Sequence, residues 1–292
     1  MEIRQLEYFV AVVEEANFTR AAAKAHVAQP GVSAQIRRLE RELGQALLDR
    51  SGRSVRLTEA GAAVLPYARA ALRAVASTRL AVDELTGLVR GHVAIGTVTS
   101  HNVDLPALLA EFHDDHPAVE ITLAEDNSDQ LITALRGCQL DAAIIALGAT
   151  PPPDLEIHIV ADEPIAAAVS HSDDLATRST IPLTDLRDRV LISLPPGTGI
   201  RSLLDDACAA AGFTPHIAFE ASSPLVLALL AARGLGVAIV PASLAAARED
   251  LHPLTITRPE LRGRLAFAWR TQGPISPATR ALVGRARRML NT

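Results

Sequence analysis

The chain is 292 residues long, 49% hydrophobic yet 3% aromatic, with a formal net charge of -5. That length holds two or three domains, their cores must be aliphatic, and no apolar run reaches the ~20 residues a membrane-spanning helix needs. Two cysteines, Cys138 and Cys208, do not make a disulfide framework, and an N-terminus with Glu2 and Arg4 and no apolar h-region argues against a secretory leader, so a cytoplasmic protein is expected.

The charge is unevenly spread. Residues 1–90 hold 13 Lys+Arg against 10 Asp+Glu, and the remainder holds 15 against 23. Contact with nucleic acid therefore belongs at the N-terminus, not on the acidic remainder. In that first part Thr19 can cap a short alanine-rich helix running to about Ala25. His26 to Gln29 is a turn, and Pro30 opens a second helix, where a first turn tolerates proline. Val32, Ile36, Leu39 and Leu43 follow at intervals of four, three and four, which makes one buried stripe. Pro30, Ser33, Ala34, Arg37, Arg38 and Arg41 occupy the other face. A short helix with an apolar back and a Ser/Arg front suits the major groove of DNA; a solvated surface helix is the plain alternative. The next segment favours DNA. Leu47–Arg50 and Ser54–Leu57 alternate like strands around the turn pair Ser51-Gly52, and this hairpin carries Arg50, Arg53 and Arg56. A basic hairpin beside such a helix is a wing, able to touch phosphates or enter the minor groove.

The string MEIRQLEYFVAVVEEANFTRAAAKAHVAQPGVSAQIRRLERELGQALLDR, continued by SGRSVRLTEAG, closely resembles the winged helix-turn-helix of LysR-type transcriptional regulators. The likeness is dense over the first 65 residues and looser to the C-terminus. It implies that Gln29, Pro30, Ser33 and Arg37 lie at the DNA surface and that Arg53 approaches the minor groove. Thr19 and Arg50 complete the expected DNA-facing set. Where relatives often carry arginine this chain has Ala34, which can meet a thymine methyl but cannot grip guanine with two bonds.

From Thr58, a plausible cap, one long helix is expected to about residue 88. Val64, Ala68, Leu72, Val75, Val82 and Leu85 form a narrow apolar stripe along it, Pro66 should strain it locally, and Gly87 and Gly91 end it. A long helix with a narrow stripe packs against a partner helix. The resemblance implies that the partner is its own copy, giving a homodimer and, beyond it, a tetramer.

Residues 92–292 contain a faint internal duplication offset by about 97 residues. HVAIGTVTSHN, a helix to Phe112, HPAVEITLAEDNS, a second helix and RGCQLDAAIIAL make the first copy. RVLISLPPGTGIR, a helix to Ala211, TPHIAFEASSP, a second helix and ARGLGVAIVPA make the second. Each is strand, polar turn, helix, strand, helix, strand, the order of an α/β lobe with a mostly parallel sheet. The expected organisation is a winged helix-turn-helix at 1–58, a linker and dimerisation helix at 59–90, and a two-lobed α/β effector domain at 91–292. Its first lobe would hold about 91–161 and 266–292 and its second about 162–265, with crossings near Val160–Pro164 and Leu265–Trp269. The resemblance implies a domain similar to solute-binding proteins, the type 2 periplasmic-binding-protein fold.

In an α/β lobe ligands sit beyond the carboxyl ends of strands, where helix starts offer backbone N–H groups. Thr99, Ser100, His101 and Asn102 follow the first strand of one copy, and Gly197, Thr198, Gly199 and Arg201 that of the other. Asn127-Ser128 and Ser222-Ser223 follow the second strands. Any one of these hydroxyls can simply cap a helix. Four such turns placed symmetrically favour a cleft for a small anion such as a carboxylate, and the resemblance implies effector contacts at Ser100, Ser128 and Thr198. Arg201 reads either as a partner for a ligand carboxylate or as a surface arginine. His101 reads as a ligand or pH-reporting group, or as a cap. The expected effector set is Thr99, Ser100, His101, Ser128, Thr198, Arg201 and Ser222.

Peroxide-sensing members of the resembled family carry a reactive cysteine in the turn that holds Gly199 here, so Cys138 and Cys208 read as small packing residues. G-x-S-x-G, H-E-x-x-H and phosphate-loop motifs are absent, and the histidines lack metal-ligand spacing with the cysteines. No metal, cofactor or catalytic residue is expected. A solute-binding protein and an enzyme are the rival readings; the first would need export, and the second a nucleophile–base or metal set. The sequence expectation is therefore a regulator that binds double-stranded DNA and a small effector and does not act at a membrane.

Overall fold

The computed structural model describes residues 1–292 except Arg53, Thr86, Gly87, Ser100, His101, Asn102, Ala149, Pro274, Asn291 and Thr292, and except the side chain of Arg79. Two compact units result. One holds Met1–Arg90 with Arg136–Gln139 and Gln272–Pro277, and the other Gly91–Leu135, Leu140–Thr271 and Ala278–Thr292.

The first unit begins with α1 (Ile3–Glu15), whose start is closed by a 2.8 Å bond from the Glu2 N–H to the Gln5 side chain. Ala16 then turns the chain with a φ of 47°. Helix α2 (Phe18–Lys24) is capped by Asn17, whose Oδ1 accepts from the Thr19 and Arg20 N–H groups at 2.8 and 3.0 Å. Thr19 is therefore inside the helix and not its cap: Asn17 offers an equally good acceptor two residues earlier, and one oxygen satisfies two donors. Helix α3 (Gln29–Leu43) starts with Pro30 in its first turn and ends at Gly44 in the left-handed region. Val32, Ile36 and Leu39 are fully buried, but Leu43 is 41% exposed. The helix stops directly after Leu43, and Leu47 enters the core instead. Ser33 is also buried, contrary to its expected place on the exposed face.

The wing is a short antiparallel pair, β1 (Leu48–Asp49) and β2 (Arg56–Leu57). It is tied to α3 through Glu40, which accepts from the Leu47 and Leu48 N–H groups at 3.0 and 3.2 Å and from Arg50 at 2.8 Å. Thr58 caps α4 (Glu59–Glu84) through a 3.0 Å bond from the Gly61 N–H and donates its own proton to the Ala46 carbonyl. A Cβ on Gly61 would lie 2.0 Å from the Leu47 carbonyl oxygen, so only glycine lets α4 start against the wing. Helix α4 continues through Pro66 without a break. Its apolar residues divide into two sets. Leu65 and Ala68 are buried and Val64 and Leu72 pack with them on the core of α1 to α3, while Tyr67 (78%), Val75 (49%), Val82 (62%) and Leu85 (86%) stay exposed. The single seam expected from the sequence is thus two faces, and Leu72 belongs to the inner one.

In the second unit the chain runs through β3 (Gly91–Thr97), α5 (Leu105–Asp115), β4 (Val119–Glu125), α6 (Ser128–Arg136), β5 (Ala142–Leu147) and the long β6 (Leu155–Val169). After β7 (Thr180–Pro182) the same grammar repeats as β8 (Leu191–Ser193), α7 (Gly199–Ala210), β9 (Ile217–Glu220), α8 (Pro224–Ala232) and β10 (Val237–Pro241). Helix α9 (Ala242–Ala246), β11 (His252–Thr257), β12 (Arg262–Arg270) and α10 (Pro277–Met289) complete it. The strand order β4-β3-β5-β12-β6-β10-β8-β9 shows the duplication directly. In each lobe two parallel pairings flank the first strand, and a long strand closes the set antiparallel to the third. Strand β6 joins the lobes: Leu155 to Pro164 face β12, and Ile165 to Ala168 face β10. Parallel strands covered on both faces need continuous apolar runs, and AAIIAL in β5 is almost wholly buried. Leu131, Leu135, Ile145 and Ala266 fill one lobe; Leu204, Cys208, Ile239 and Leu254 fill the other.

Candidate functional site

Between the two α/β lobes lies a cleft of about 690 Å³, the size of a small-molecule site. Val98, Thr99, Glu125 and Ser128 line it from the first lobe, Thr198, Gly199, Ser222 and Pro224 from the second, and Ile165 and Arg264 from the joining strands. These positions are the carboxyl ends of β3, β4, β8 and β9 and the first residues of α6, α7 and α8. Four of the expected effector residues therefore share one surface: Thr99, Ser128, Thr198 and Ser222. Ser100 and His101 lie outside the described residues.

Arg201 does not serve the cleft. It is nearly buried, with Nε on Asp205 at 2.9 and 3.0 Å, and Nη1 on Glu220 at 2.7 Å and on the Leu194 carbonyl at 3.1 Å. Three of its five N–H groups are taken up within α7, by β9 and by Leu194 just after β8, and it is not among the residues that line the cleft. Among the described residues, the cation that lines the cleft is Arg264, on β12. No local signal marks it, because strand β12 reaches the site only through the fold. Glu125 and Asp126 were within reach of the sequence rule, since one ends β4 and the other follows it immediately before Asn127.

The hydroxyls serve the protein as much as the cleft. Thr198 donates to the Pro195 carbonyl at 2.8 Å, Thr99 donates to Glu125, and Ser128 accepts from the Ala146 N–H at 3.0 Å. Of these three, Ser128 keeps its proton for another acceptor. Capping separates the helices further. Asn127 caps α6 through Gln130 at 3.0 Å, and Asp129 sits in its first turn, so its positive end is already answered. Thr198 and Ser223 make no side-chain cap bond, and neither α7 nor α8 has an acidic residue in its first turn. The helix starts that can attract an anion are therefore those of α7 and α8.

Cys208 is fully buried, and desolvation first, then the charge of Asp205, pushes its thiol up to about 11. A thiol held that high is not a nucleophile at neutral pH. At the place where a partner cysteine would stand, a Cβ on Gly199 would lie 2.4 Å from the Ala146 Cβ. Cys208→Ser should therefore leave operator binding unchanged before and after peroxide; a peroxide response that disappears in this variant, measured by gel shift, would restore a redox role.

In the N-terminal unit a second concave surface is lined by Asn17, Phe18, Thr19, Gln29, Ser33, Arg37, Arg50, Gly52, Ser54 and Val55. Thr19, Gln29, Ser33, Arg37 and Arg50 of the expected DNA-facing set meet on it. Pro30 is exposed in the first turn of α3, and Arg53 lies outside the described residues. Two members are committed within the protein: Ser33 is buried and accepts from Arg37 Nη2 at 3.0 Å, and Arg50 pairs with Glu40 and lies 5.0 Å over the Phe18 ring. Both position other groups, and Arg37 is the exposed cation that α3 presents beside them.

Comparison with known proteins identifies both domains. Residues 3–62 match the family model described as bacterial regulatory helix-turn-helix protein, lysR family, and residues 86–291 match the LysR substrate binding domain. The transcriptional regulator ShiR of Corynebacterium glutamicum is 36% identical over 275 residues, covering 92% of each chain. A hydrogen peroxide-inducible genes activator of Escherichia coli is 33% identical over 279 residues, covering 94% of this chain and 91% of that one. Full-length CbnR, solved in complex with its target DNA, superposes with a TM-score of 0.63 at 29% identity, covering 99% of both chains.

Proposed function

The chain belongs to the LysR family of DNA-binding transcriptional regulators, and we propose that a small organic anion held between its lobes modulates what the winged helix-turn-helix does on DNA. The observation that carries this reading is the pair of helix starts at α7 and α8, which open on the cleft without a side-chain cap or an acidic first turn. Backbone N–H groups and the positive helix end together favour a carboxylate there. On DNA, Gln29, Pro30 and Arg37 make the α3 contacts with Ser33 steadying Arg37, Thr19 and Arg50 border them, and Arg53 follows the minor groove from the wing. Residues 1–58 serve DNA, 59–90 join two copies, and 91–292 hold the effector. The outer face of α4 pairs with its copy to make a dimer, which doubles into a tetramer. The protein works in the cytoplasm as a regulator and not as an enzyme, a reading supported by relatives that are named transcriptional regulators. Among the described residues, no helix is long and apolar enough to cross a membrane.

Melting of the full-length protein with benzoate and hexanoate, against benzamide and hexanamide, tests the anion reading. At 100 times the dissociation constant a bound ligand adds about 2.7 kcal/mol, which for a domain of this size is roughly 5–10 °C. The carboxylates should give such a saturable rise and the amides none. Equal shifts from acid and amide, or none from any carboxylate, would remove the anion from the cleft.

A further inference from the structure

The cleft carries opposite charges from different elements. Arg264, on β12, has among the described residues one long bond, from Nη2 to the Gly148 carbonyl at 3.4 Å. Its neighbour on the same strand, Arg262, is by contrast held by Asp162 at 2.9 Å and Glu260 at 3.4 Å. Arg264 therefore brings a cation with unspent donors, from a strand that joins the lobes, to the cleft on which the α7 and α8 starts open. The end of β4, two strands beyond β5, is the reverse. Glu125 and Asp126 both line the cleft there, the Thr99 hydroxyl donates to one Glu125 oxygen, and Asp126 Oδ1 accepts the Asn127 N–H at 2.8 Å. The cleft lining also includes the aliphatic side chains of Ile165, Leu203 and Leu265.

A ligand bearing a carboxylate alone would satisfy Arg264 and the helix starts and leave the second Glu125 oxygen covered and without a donor, at the cost of a desolvated charge. We propose that the effector is a carboxylate that also carries hydroxyl or ammonium donors, with Arg264 and the starts of α7 and α8 holding the carboxylate and Glu125 selecting the donors. This rests on the reading of the cleft as an anion site and adds to it the class of molecule that fits. Charge-assisted bonds give the selection its strength. Glu125 is exposed in the open cleft, so the discrimination expected is roughly 10- to 100-fold and not the larger ratio of a sealed site.

The test is melting of the full-length protein with two matched pairs, benzoate against 3,4-dihydroxybenzoate and hexanoate against 6-aminohexanoate. In at least one pair the donor-bearing acid should reach half-maximal shift at roughly 10- to 100-fold lower concentration. Glu125→Gln should remove that advantage while the plain acids still bind. Arg264→Gln should weaken plain and donor-bearing acids alike. Equal responses within both pairs, or an advantage that survives Glu125→Gln, overturn the proposal and leave the anion site standing. Absence of any response to all four acids removes the anion site and this inference with it.

Discussion

Val82→Asp should convert the protein to monomers in sedimentation and lower operator affinity by roughly 100-fold or more, because joining two DNA-binding heads raises avidity ~10²- to 10⁴-fold. Two heads reading half-sites one helical turn apart is also the geometry that gives a helix-turn-helix its specificity. Val82 is 62% exposed on α4 and Tyr67, Val75 and Leu85 are exposed with it. At 100° per residue these four fall within about a quarter-turn of one another. A large apolar strip on a long helix calls for a partner. An aspartate at Val82 would put an unpaired charge into that seam, at a cost of several kcal/mol, while leaving the core of residues 1–58 untouched. Leu72→Asp is the contrasting variant. Leu72 packs on the core shared by α1, α2 and α3, so its replacement should lower the melting temperature of the N-terminal unit as well as DNA binding. A Val82→Asp protein that sediments as a dimer and binds its operator normally places the interface elsewhere.

That contrast marks how far the sequence could be read. Periodicity found the helices, and the duplicated strand and helix grammar found both lobes, because hydrophobic spacing is a local consequence of burial on one face. Which face of α4 meets which neighbour is not local. Val64, Ala68, Leu72, Val75, Val82 and Leu85 all satisfy a helical stripe within the tolerance of such patterns, and only the packed domain shows that the first three are taken by α1 to α3. The cleft divides in the same way. Thr99, Ser128, Thr198 and Ser222 were legible because ligands of α/β lobes gather at strand ends, a rule that needs only the order of elements. Arg264 was illegible because it lies near the start of a strand far along the chain, away from any strand end that the rule marks. Arg201 misled for the opposite reason: it stands beside the right turn, but Asp205 one helical turn on and Glu220 on β9 claim its guanidinium first. Capping also overrode a plausible reading at Thr19, where Asn17 competes for the same N–H groups.

Gly199→Ala should destabilise the α/β unit and blunt its response to carboxylates, against the usual sense of a helical substitution. Replacing glycine by alanine within a helix ordinarily stabilises by about 0.5–1 kcal/mol, since the unfolded chain loses freedom. Gly284, in α10, has room for the change, its added Cβ meeting Arg288 at an ordinary 3.6 Å, and Gly284→Ala should melt at the same temperature or higher. At Gly199 the added Cβ would lie 2.4 Å from the Cβ of Ala146, which belongs to β5 in the other lobe. Neither atom is the end of a flexible side chain, so the start of α7 must retreat from β5. Overpacking of this kind costs about 1–3 kcal/mol, and at roughly 2–4 °C per kcal/mol the melting temperature should fall by several degrees. The retreat would also move the α7 N–H groups away from the cleft that Arg264 and Ser128 share with them. The carboxylate-induced rise should then shrink in Gly199→Ala and stay intact in Gly284→Ala. If Gly199→Ala melts higher and responds fully, the lobes yield without cost and the glycine is not what lets α7 seat against β5. The same contact explains why this chain has no room for a cysteine at that turn as it is folded, whatever the redox chemistry of its relatives.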